Sequence, residues 1–290
     1  MISEVNSEKL KYVKKIKPAA RRTVWASRVV LWTMIAIVLI PIMGVVSASM
    51  AKGQSFTQAS IFPKTFTLEN YVKVLTTTKF LIWVKNSLFL CTSVAVIQLV
   101  LTVPPAFAFS KLNFKGRKYG LMSLLLLQMF PSTMALPAIL GVAYRFNMMD
   151  QLWALIVLMA GGSAYNIWLM KGYMDSIPKE LTESAYMDGA STLQAFLKII
   201  LPLIKNMMIV IFIFSFVGTY SEFFLTSALI KDADTQTVAT GLRTFINNQY
   251  SANWTQFSAA AIMSSIPVIA IFVVTQKFFA QGLTAGAVKG

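Results

Sequence analysis

Histidine is absent from this chain, and cysteine occurs once, at Cys91 inside an apolar segment. A single thiol excludes an intramolecular disulfide, and the lack of histidine removes the commonest metal ligand and proton shuttle. The sequence also contains no recognisable Ser/His/Asp set or metal-ligand spacing. We therefore predict no catalytic residue, no metal site and no enzymatic activity of the chain itself.

Charged residues are scarce as well. They make up 13% of the 290 residues, whereas 56% are hydrophobic, and the mean hydropathy is +0.65. About a quarter of the residues in a typical soluble domain are charged, so this composition indicates a membrane protein.

Six apolar segments are long enough to cross a bilayer, because a hydrocarbon core needs about 20 apolar residues per helix. They cover residues 29–50, 87–109, 121–144, 152–170, 207–230 and 257–275. Their length and uniform apolarity exclude the strands of a membrane barrel. The predicted fold class is therefore an all-α integral membrane protein with six transmembrane helices.

Prolines and glycines interrupt most of these apolar segments. They lie at Pro41, Pro104, Pro105, Pro131, Pro137, Gly161, Gly162 and Pro267. Proline removes a backbone hydrogen bond and kinks a helix, and such breaks are tolerated in membranes where neighbours or a water-filled cavity satisfy the backbone. The pattern predicts bent helices and leaves open whether they only bend or also line a pathway.

The net charge of +15 is distributed unevenly along the chain. With the N-terminus in the cytoplasm, 18 of the 26 Lys and Arg residues fall in cytoplasmic segments. The positive-inside rule therefore predicts that both termini are cytoplasmic. The expected organisation is a cytoplasmic basic tail at residues 1–28, a six-helix transmembrane domain at 29–276 with a long cytoplasmic loop at 171–205, and a cytoplasmic tail at 277–290. The basic first tail indicates contact with anionic lipid rather than with nucleic acid.

The loop at 171–205 carries the most specific pattern in the sequence. Pro178 is suited to a first helical turn, and Glu180 and Glu183 then lie near the positive end of the helix dipole. Gly189 is expected to end this helix, and a second helix is expected to start near Ser191. The periodicity alone fits either a helix that docks a partner or an amphipathic helix at the membrane surface.

Six residues of this loop have the spacing Glu-x-Ala, three residues, Gly, nine residues, Ile-x-Leu-Pro; they are Glu183, Ala185, Gly189, Ile199, Leu201 and Pro202. This pattern resembles the signature loop of permease subunits of binding-protein-dependent ATP-binding-cassette (ABC) importers, with Ser184 where that family usually has Ala. The resemblance implies a type I ABC importer permease fold and a coupling helix that docks in a groove of a cytoplasmic ATPase. The implied coupling residues are Glu183, Ser184, Ala185, Met187, Asp188, Gly189, Ala190, Leu201 and Pro202.

Two further segments resemble sugar permeases. Residues 220–224 are similar to the Trp-Asn-Glu-Phe-Leu motif of those proteins, and residues 281–290 are very similar to the tail of MalG-like maltose/maltodextrin permeases. The second resemblance implies that the tail contacts the ATPases through Gly282, Thr284, Gly286, Lys289 and Gly290. The same glycines do not have P-loop spacing, so no nucleotide site is expected in this chain.

Two outer features have open interpretations. The loop before the last span contains Phe245, Asn247, Asn248, Gln249 and Tyr250; by resemblance it probes the cleft of a sugar-binding protein, and otherwise it is only solvated. Glu222 is the one acid within an apolar segment. Such residues are usually functional or paired, and we favour a structural role, in which it reaches water or caps a neighbouring helix, over a proton relay.

These observations together predict a permease subunit of an ATP-driven carbohydrate importer in the bacterial cytoplasmic membrane, for a maltodextrin-like oligosaccharide. The resemblance implies a second, homologous permease, two ABC ATPases that bind ATP and Mg, an extracytoplasmic sugar-binding protein, and surrounding lipid; no cofactor is expected on this chain. The alternatives are an ion-coupled secondary transporter or channel, and a non-transporting membrane scaffold for an ATPase.

Overall fold

A computed structural model describes residues 18–54, 65–247 and 252–284 of the chain. The described residues form helices and connections and contain no strand. The helices are α1 (Pro18–Ser49), α2 (Glu69–Thr77), α3 (Phe80–Lys111), α4 (Arg117–Gln128), α5 (Ser132–Arg145), α6 (Leu152–Ala160), α7 (Ala164–Asp175), α8 (Glu180–Met187), α9 (Thr192–Ala195), a π-helical turn (Phe196–Ile200), α10 (Leu201–Leu203), α11 (Lys205–Tyr220), α12 (Phe224–Leu229), α13 (Val238–Arg243) and α14 (Trp254–Thr284).

Three stretches of helix are continuous and apolar enough to cross a membrane: Arg22–Ser49, Phe80–Lys111 and Trp254–Phe278. Three further candidates are helix pairs bent by 88° between α4 and α5, by 49° between α6 and α7, and by 75° between α10 and α11. Counting each bent pair as one span gives up to six. The all-α fold class is confirmed, whereas the six-span count and the orientation of the termini stay predictions.

The predicted spans at 121–144, 152–170 and 207–230 are not continuous helices; the bends predicted at Pro131 and Gly161 are confirmed, and the break near Glu222 was not predicted. Residues around Pro131, Gly161 and Glu222 break them, and the third ends in the separate short helix α12. Pro131 is extended, with φ −61° and ψ 115°, and cannot donate a backbone bond. In contrast, Pro41 and Pro267 lie inside uninterrupted helices, so proline alone does not decide where a span breaks.

Helix α3 forms the centre of the bundle. It packs against α11, α7, α6 and α13, and it buries an apolar series that includes Leu90, Val94, Ala95 and Ala106. Helix α1 instead packs along α14 and leaves most of its apolar surface exposed, as Trp32 at 70% shows. An apolar helix with one protein-facing side is suited to contact with lipid or with another membrane chain.

A buried polar group ties the outer ends of three helices together. The Asn70 amide in α2 donates 2.9 Å hydrogen bonds to the carbonyls of Ser49 and Ala51, which end α1. Its Oδ1 accepts a hydrogen bond from the Thr255 hydroxyl at the start of α14. Helix α2 follows Thr67, whose hydroxyl accepts a hydrogen bond from the Glu69 N–H.

Candidate functional site

The site is built on two short helices, α8 and α9, which lie in the chain between α7 and α11. We call residues 180–203 the α8–α9 corner. Helix α8 begins at Glu180, and Glu180 and Glu183 occupy its first turn, as predicted. The Thr182 hydroxyl and N–H both donate to the Lys179 carbonyl, at 2.8 and 2.9 Å. These bonds fix the start of the helix.

Gly189 ends α8 with a left-handed residue, at φ +83°. The Ala190 N–H donates to the Ala185 carbonyl at 2.9 Å, and the Gly189 N–H donates to the Tyr186 carbonyl at 3.1 Å. This pair of bonds defines a Schellman motif, in which glycine avoids the steric cost of a Cβ at positive φ. The prediction that Gly189 terminates the first helix is confirmed.

Ser191 starts the second helix by a capping box. Its hydroxyl accepts from the Gln194 N–H at 3.3 Å, and the Gln194 side chain accepts from the Ser191 N–H at 2.8 Å. Helix α9 therefore begins at Thr192, with its N-cap Ser191 two residues after Gly189, where the sequence predicted it. Because both helix ends at this turn are fixed by local hydrogen bonds, the angle between α8 and α9 is well defined.

A π-helical turn joins α9 to the rest of the corner. The Leu201 N–H donates to the Phe196 carbonyl, five residues earlier. Pro202 has no N–H, and its ring would crowd the carbonyl of Lys198 in a regular α-helix. The wider turn accommodates the proline, and the residue pattern did not predict it.

The inner side of the corner is continuous with the hydrophobic core. Ile200 and Ile204 are fully buried, and the Phe196 ring lies 4.9 Å from the Phe107 ring of α3, centroid to centroid. The chain then bends by 75° into α11. The corner is therefore packed against α3 and directly connected to α11.

The outer side of the corner exposes apolar side chains. Met187 is 88% exposed and Leu193 is 64% exposed, and Leu181 and Leu197 are also exposed. Beside them is a concavity of about 530 Å³ lined by Ser184, Asp188, Gln194 and Lys198, among others. An apolar rim around a polar concavity on a rigid element is suited to protein docking.

The predicted coupling residues divide between these two sides. Glu183, Ser184, Met187, Asp188, Gly189 and Pro202 are exposed, and Ala190 is half-buried. Ala185 is 6% exposed, and Leu201 packs against the core. In this chain, Ala185 and Leu201 therefore pack on the inner side of the corner and are not part of its exposed surface. Gln194 and Lys198, which line the concavity, were missed.

The other predicted sites are described only in part. Gly282 and Thr284 lie in the last turn of α14, and Gly286, Lys289 and Gly290 lie outside the described residues. In the outer loop, Asn247 is exposed, whereas Asn248, Gln249 and Tyr250 lie outside the described residues.

Phe245 is an anchor of the outer loop rather than an exposed residue. It is 9% exposed and contacts Trp83 edge to face at 6.1 Å. Gly241 in α13 lies against the same indole, because a Cβ built there would meet Trp83 at 2.2 Å. The loop therefore emerges from a packed base.

Glu222 has the capping role that we favoured. Its carboxylate accepts hydrogen bonds from the Leu225 N–H, the Thr226 N–H and the Thr226 hydroxyl, at 2.8, 3.0 and 2.8 Å. These bonds satisfy the N-terminus of α12, where a negative charge is also favoured. Glu222 borders a mainly apolar cavity of about 240 Å³. Thr133, just after the α4–α5 break, and Gly162, in the α6–α7 break, also line it.

Three amide side chains in the apolar segments serve the break between α6 and α7. The Gln98 amide donates to the Met159 carbonyl at 2.9 Å, and the Asn166 amide donates to Gln98 Oε1 at 3.3 Å and to the Ser215 hydroxyl at 3.2 Å. Gln128 donates to the Gly162 carbonyl and accepts from the Tyr165 N–H. We call these residues the amide network. It satisfies backbone groups that a broken membrane helix would leave unpaired, and our reading of the sequence missed it.

A model of the family described as binding-protein-dependent transport system inner membrane component matches residues 103–285. This range contains the α8–α9 corner and all three bent helix pairs, the first of which begins with α4 at Arg117. It covers more than half of the chain.

Several relatives match most of the chain. The galactooligosaccharides transport system permease protein GanQ of Bacillus subtilis is 40% identical over 261 residues, which is 89% of this chain and 92% of that protein. The maltodextrin permease protein MdxG of the same organism is 35% identical, over 89% of this chain and 94% of that protein. The maltose/maltodextrin permease protein MalG of Vibrio parahaemolyticus is 32% identical, over 92% and 96%.

A solved structure shares the fold. It is a chain from a bacterial ABC transporter involved in the import of the acidic polysaccharide alginate, with a TM-score of 0.75 over 91% of this chain and 98% of that chain, at 24% identity. The family match and the long, similar relatives agree with the resemblance based on residues 183–202. The chain therefore belongs to the family of inner membrane components of binding-protein-dependent transport systems.

Proposed function

We propose that this chain is a permease subunit of an ATP-driven importer of oligosaccharides, and that the α8–α9 corner docks a cytoplasmic ATPase. The observation that carries the proposal is the combination of a rigid corner, an exposed apolar rim at Met187 and Leu193, and a direct connection to α3 and α11. ATP and Mg²⁺ belong to the partner subunits in this proposal. This chain supplies the docking surface and part of the pathway.

The proposed mechanism is alternating access. When two ATPases close on ATP, they shift the α8–α9 corner. The buried Ile200 and Ile204 and the partly buried Phe196 carry that shift into the bundle. Bound nucleotide favours one arrangement of the helices only as far as it binds that arrangement more tightly. A second permease of the same family completes the pathway, and exposed α1 provides one surface for it.

The proposed substrate class rests on the relatives. Those compared above are permeases for galactooligosaccharides, for maltodextrin and for maltose/maltodextrin, so we propose a neutral oligosaccharide. A sugar-binding protein delivers it to the outer face. The proposed contact with that protein includes the exposed Asn247, two residues after Phe245, which packs with Trp83 and Gly241.

An ion-coupled mechanism has less support in the chain. Glu222 is the acid within an apolar segment, and three hydrogen bonds within α12 already occupy its oxygens. A proton relay needs further titratable groups within reach, and the six apolar segments contain no second acid and no histidine.

The test is uptake of labelled maltodextrin and galactooligosaccharide by vesicles that contain the reconstituted complex. Met187→Glu places a charge on the apolar rim. We expect ATP-dependent uptake, and the amount of ATPase subunit that copurifies with the chain, to fall about tenfold or more, as for a central interface residue. Met187→Leu keeps the apolar side chain and is the matched control, for which we expect near-normal uptake.

Two results would contradict the proposal. One is normal ATP-dependent uptake by Met187→Glu, which would remove the corner as the docking surface. The other is uptake that requires an ion gradient and proceeds without ATP, which would favour the ion-coupled alternative.

A further inference from the structure

A basic cavity of about 590 Å³ lies where α3 ends and α4 begins, away from the α8–α9 corner. Three cations line it: Arg117, Lys118 and Lys171. The aromatic side chains of Phe109, Phe114 and Tyr119 complete its wall. No carboxylate is among the described residues that line it, so the cavity is suited to a negatively charged group.

The cations of the cavity differ in how far they are already engaged. Arg117 is held in place, because its guanidinium donates to the Phe109 carbonyl, the Ser110 carbonyl and Asn113 Oδ1. A guanidinium has five N–H donors, so some remain. Lys171 is paired with Asp175, which also accepts from the Ser110 hydroxyl.

Lys118 is the most available charge. Its ammonium lies 5.3 Å from the centre of the Tyr119 ring, and it forms none of the ion pairs found among the described residues. A lysine beside an exposed tyrosine is typical of the level of lipid headgroups, where aromatic rings and basic side chains collect.

The surface next to the cavity is apolar. Met122 and Leu126 follow Lys118 at intervals of four residues on α4, and they are 60% and 61% exposed. Residues four apart on a helix share a face. A molecule whose charged head lies in the cavity would therefore place an apolar tail along α4. This combination matches a phospholipid and does not match an acidic protein surface or a free anion.

We propose that this cavity binds the phosphate headgroup of an anionic phospholipid, with an acyl chain along Met122 and Leu126. Lys118 and the free N–H groups of Arg117 and Lys171 bind the phosphate oxygens. The proposal rests on the proposed orientation, in which the end of α3 faces the cytoplasmic leaflet, where anionic lipid and basic residues meet.

The test uses the assembled complex in vesicles that contain a photoreactive phosphatidylglycerol, with the labelled peptide of this chain identified by mass spectrometry. We expect labelling at the cavity and along α4. In Lys118→Gln, labelling should fall about fivefold, the factor that one basic charge near a membrane surface typically contributes. Lys115→Gln removes an exposed charge of the same short connection that does not line the cavity, and should label normally.

Three outcomes would overturn the proposal: equal labelling in Lys118→Gln and Lys115→Gln, equal labelling by a photoreactive phosphatidylcholine, or displacement of the lipid by inorganic phosphate alone. Loss of the ATPase subunits from Lys118→Gln in vesicles without anionic lipid would also count against it, because that result assigns the cavity to a protein partner. Labelling does not require transport, so this test can fail while the sugar-uptake test succeeds, and the reverse.

Discussion

The α8–α9 corner and the broken helices of the bundle solve the same problem in different ways. Both interrupt helices and leave backbone groups without helical partners. The corner satisfies them locally, through Gly189 and the Ser191 capping box. The break between α6 and α7 depends on Gln98, Gln128 and Asn166, which are distant in sequence. The turn of the corner can therefore be predicted from a few neighbouring residues, whereas the hydrogen bonds of the α6–α7 break cannot.

The largest expected effect of a single change is in the amide network. Gln98→Leu removes the side-chain donor to the Met159 carbonyl and one of the two acceptors of the Asn166 amide. We expect a loss of about 2 kcal/mol in the free energy of unfolding, since unpaired buried polar groups cost about 1–3 kcal/mol and membrane hydrogen bonds average somewhat less. Detergent unfolding followed by circular dichroism measures it. An unchanged stability would mean that the network does not hold the break.

Gly189→Val should have the next largest effect. The site is sterically open, since nothing lies within 4 Å of an added Cβ, so the cost comes from φ +83° alone. A β-branched residue at that angle costs about 1–2 kcal/mol, whereas asparagine tolerates it. We expect Gly189→Val to lose sugar uptake while still inserting, and Gly189→Asn to retain much of it. Equal uptake by the two variants would show that the Schellman turn is not needed.

These two variants also show how far the sequence could predict the structure. The residues around Gly189 and Ser191 are sufficient to predict the turn, because every hydrogen bond that forms it joins residues five or fewer positions apart. Local sequence could not show which of the predicted bends, Pro131 and Gly161 among them, become breaks. Pro41 and Pro267 have the same local chemistry and lie in continuous helices.

What distinguishes the α6–α7 break is the presence of partners from other helices. Gln128 and Gln98 reach the carbonyls that the α6–α7 break exposes, and such contacts are set by packing rather than by local sequence. The amides themselves were the available signal, since polar side chains are uncommon in membrane helices and usually have partners there. The structure was likewise needed to tell the exposed residues of the corner from the buried ones. Ala185 is buried and Met187 is exposed, although they are only two positions apart in the sequence.

A smaller effect is expected for Ser191→Ala. It removes the hydroxyl that accepts from the Gln194 N–H, and the loss of an N-cap typically costs about 1 kcal/mol. Because the loss is confined to the corner, we expect a reduced coupling ratio of sugar transported per ATP hydrolysed, with normal insertion. Ser191→Asp keeps a capping acceptor and should retain coupling. If both variants behave like the parent chain, the capping box does not set the angle of the corner.

Glu222→Gln should have the smallest effect. The amide still offers an oxygen to the N-terminus of α12, and the lost interaction of the charge with the helix dipole is about 0.3–1 kcal/mol. We expect uptake to persist with unchanged dependence on pH. A loss of uptake with a shift of its pH profile would assign a proton-transfer role to Glu222 and would contradict the capping role described above.

The central claim, that the α8–α9 corner docks an ATPase, is tested most directly by thiol accessibility. Cys91 is the single native cysteine and is 1% exposed, so background labelling is low. Met187→Cys should react rapidly with a soluble maleimide in the isolated chain and be protected in the assembled complex. Phe66→Cys, at another highly exposed position, is the control and should keep its reactivity unless the sugar-binding protein is present. Equal reactivity of Met187→Cys with and without the ATPase subunits would contradict the claim.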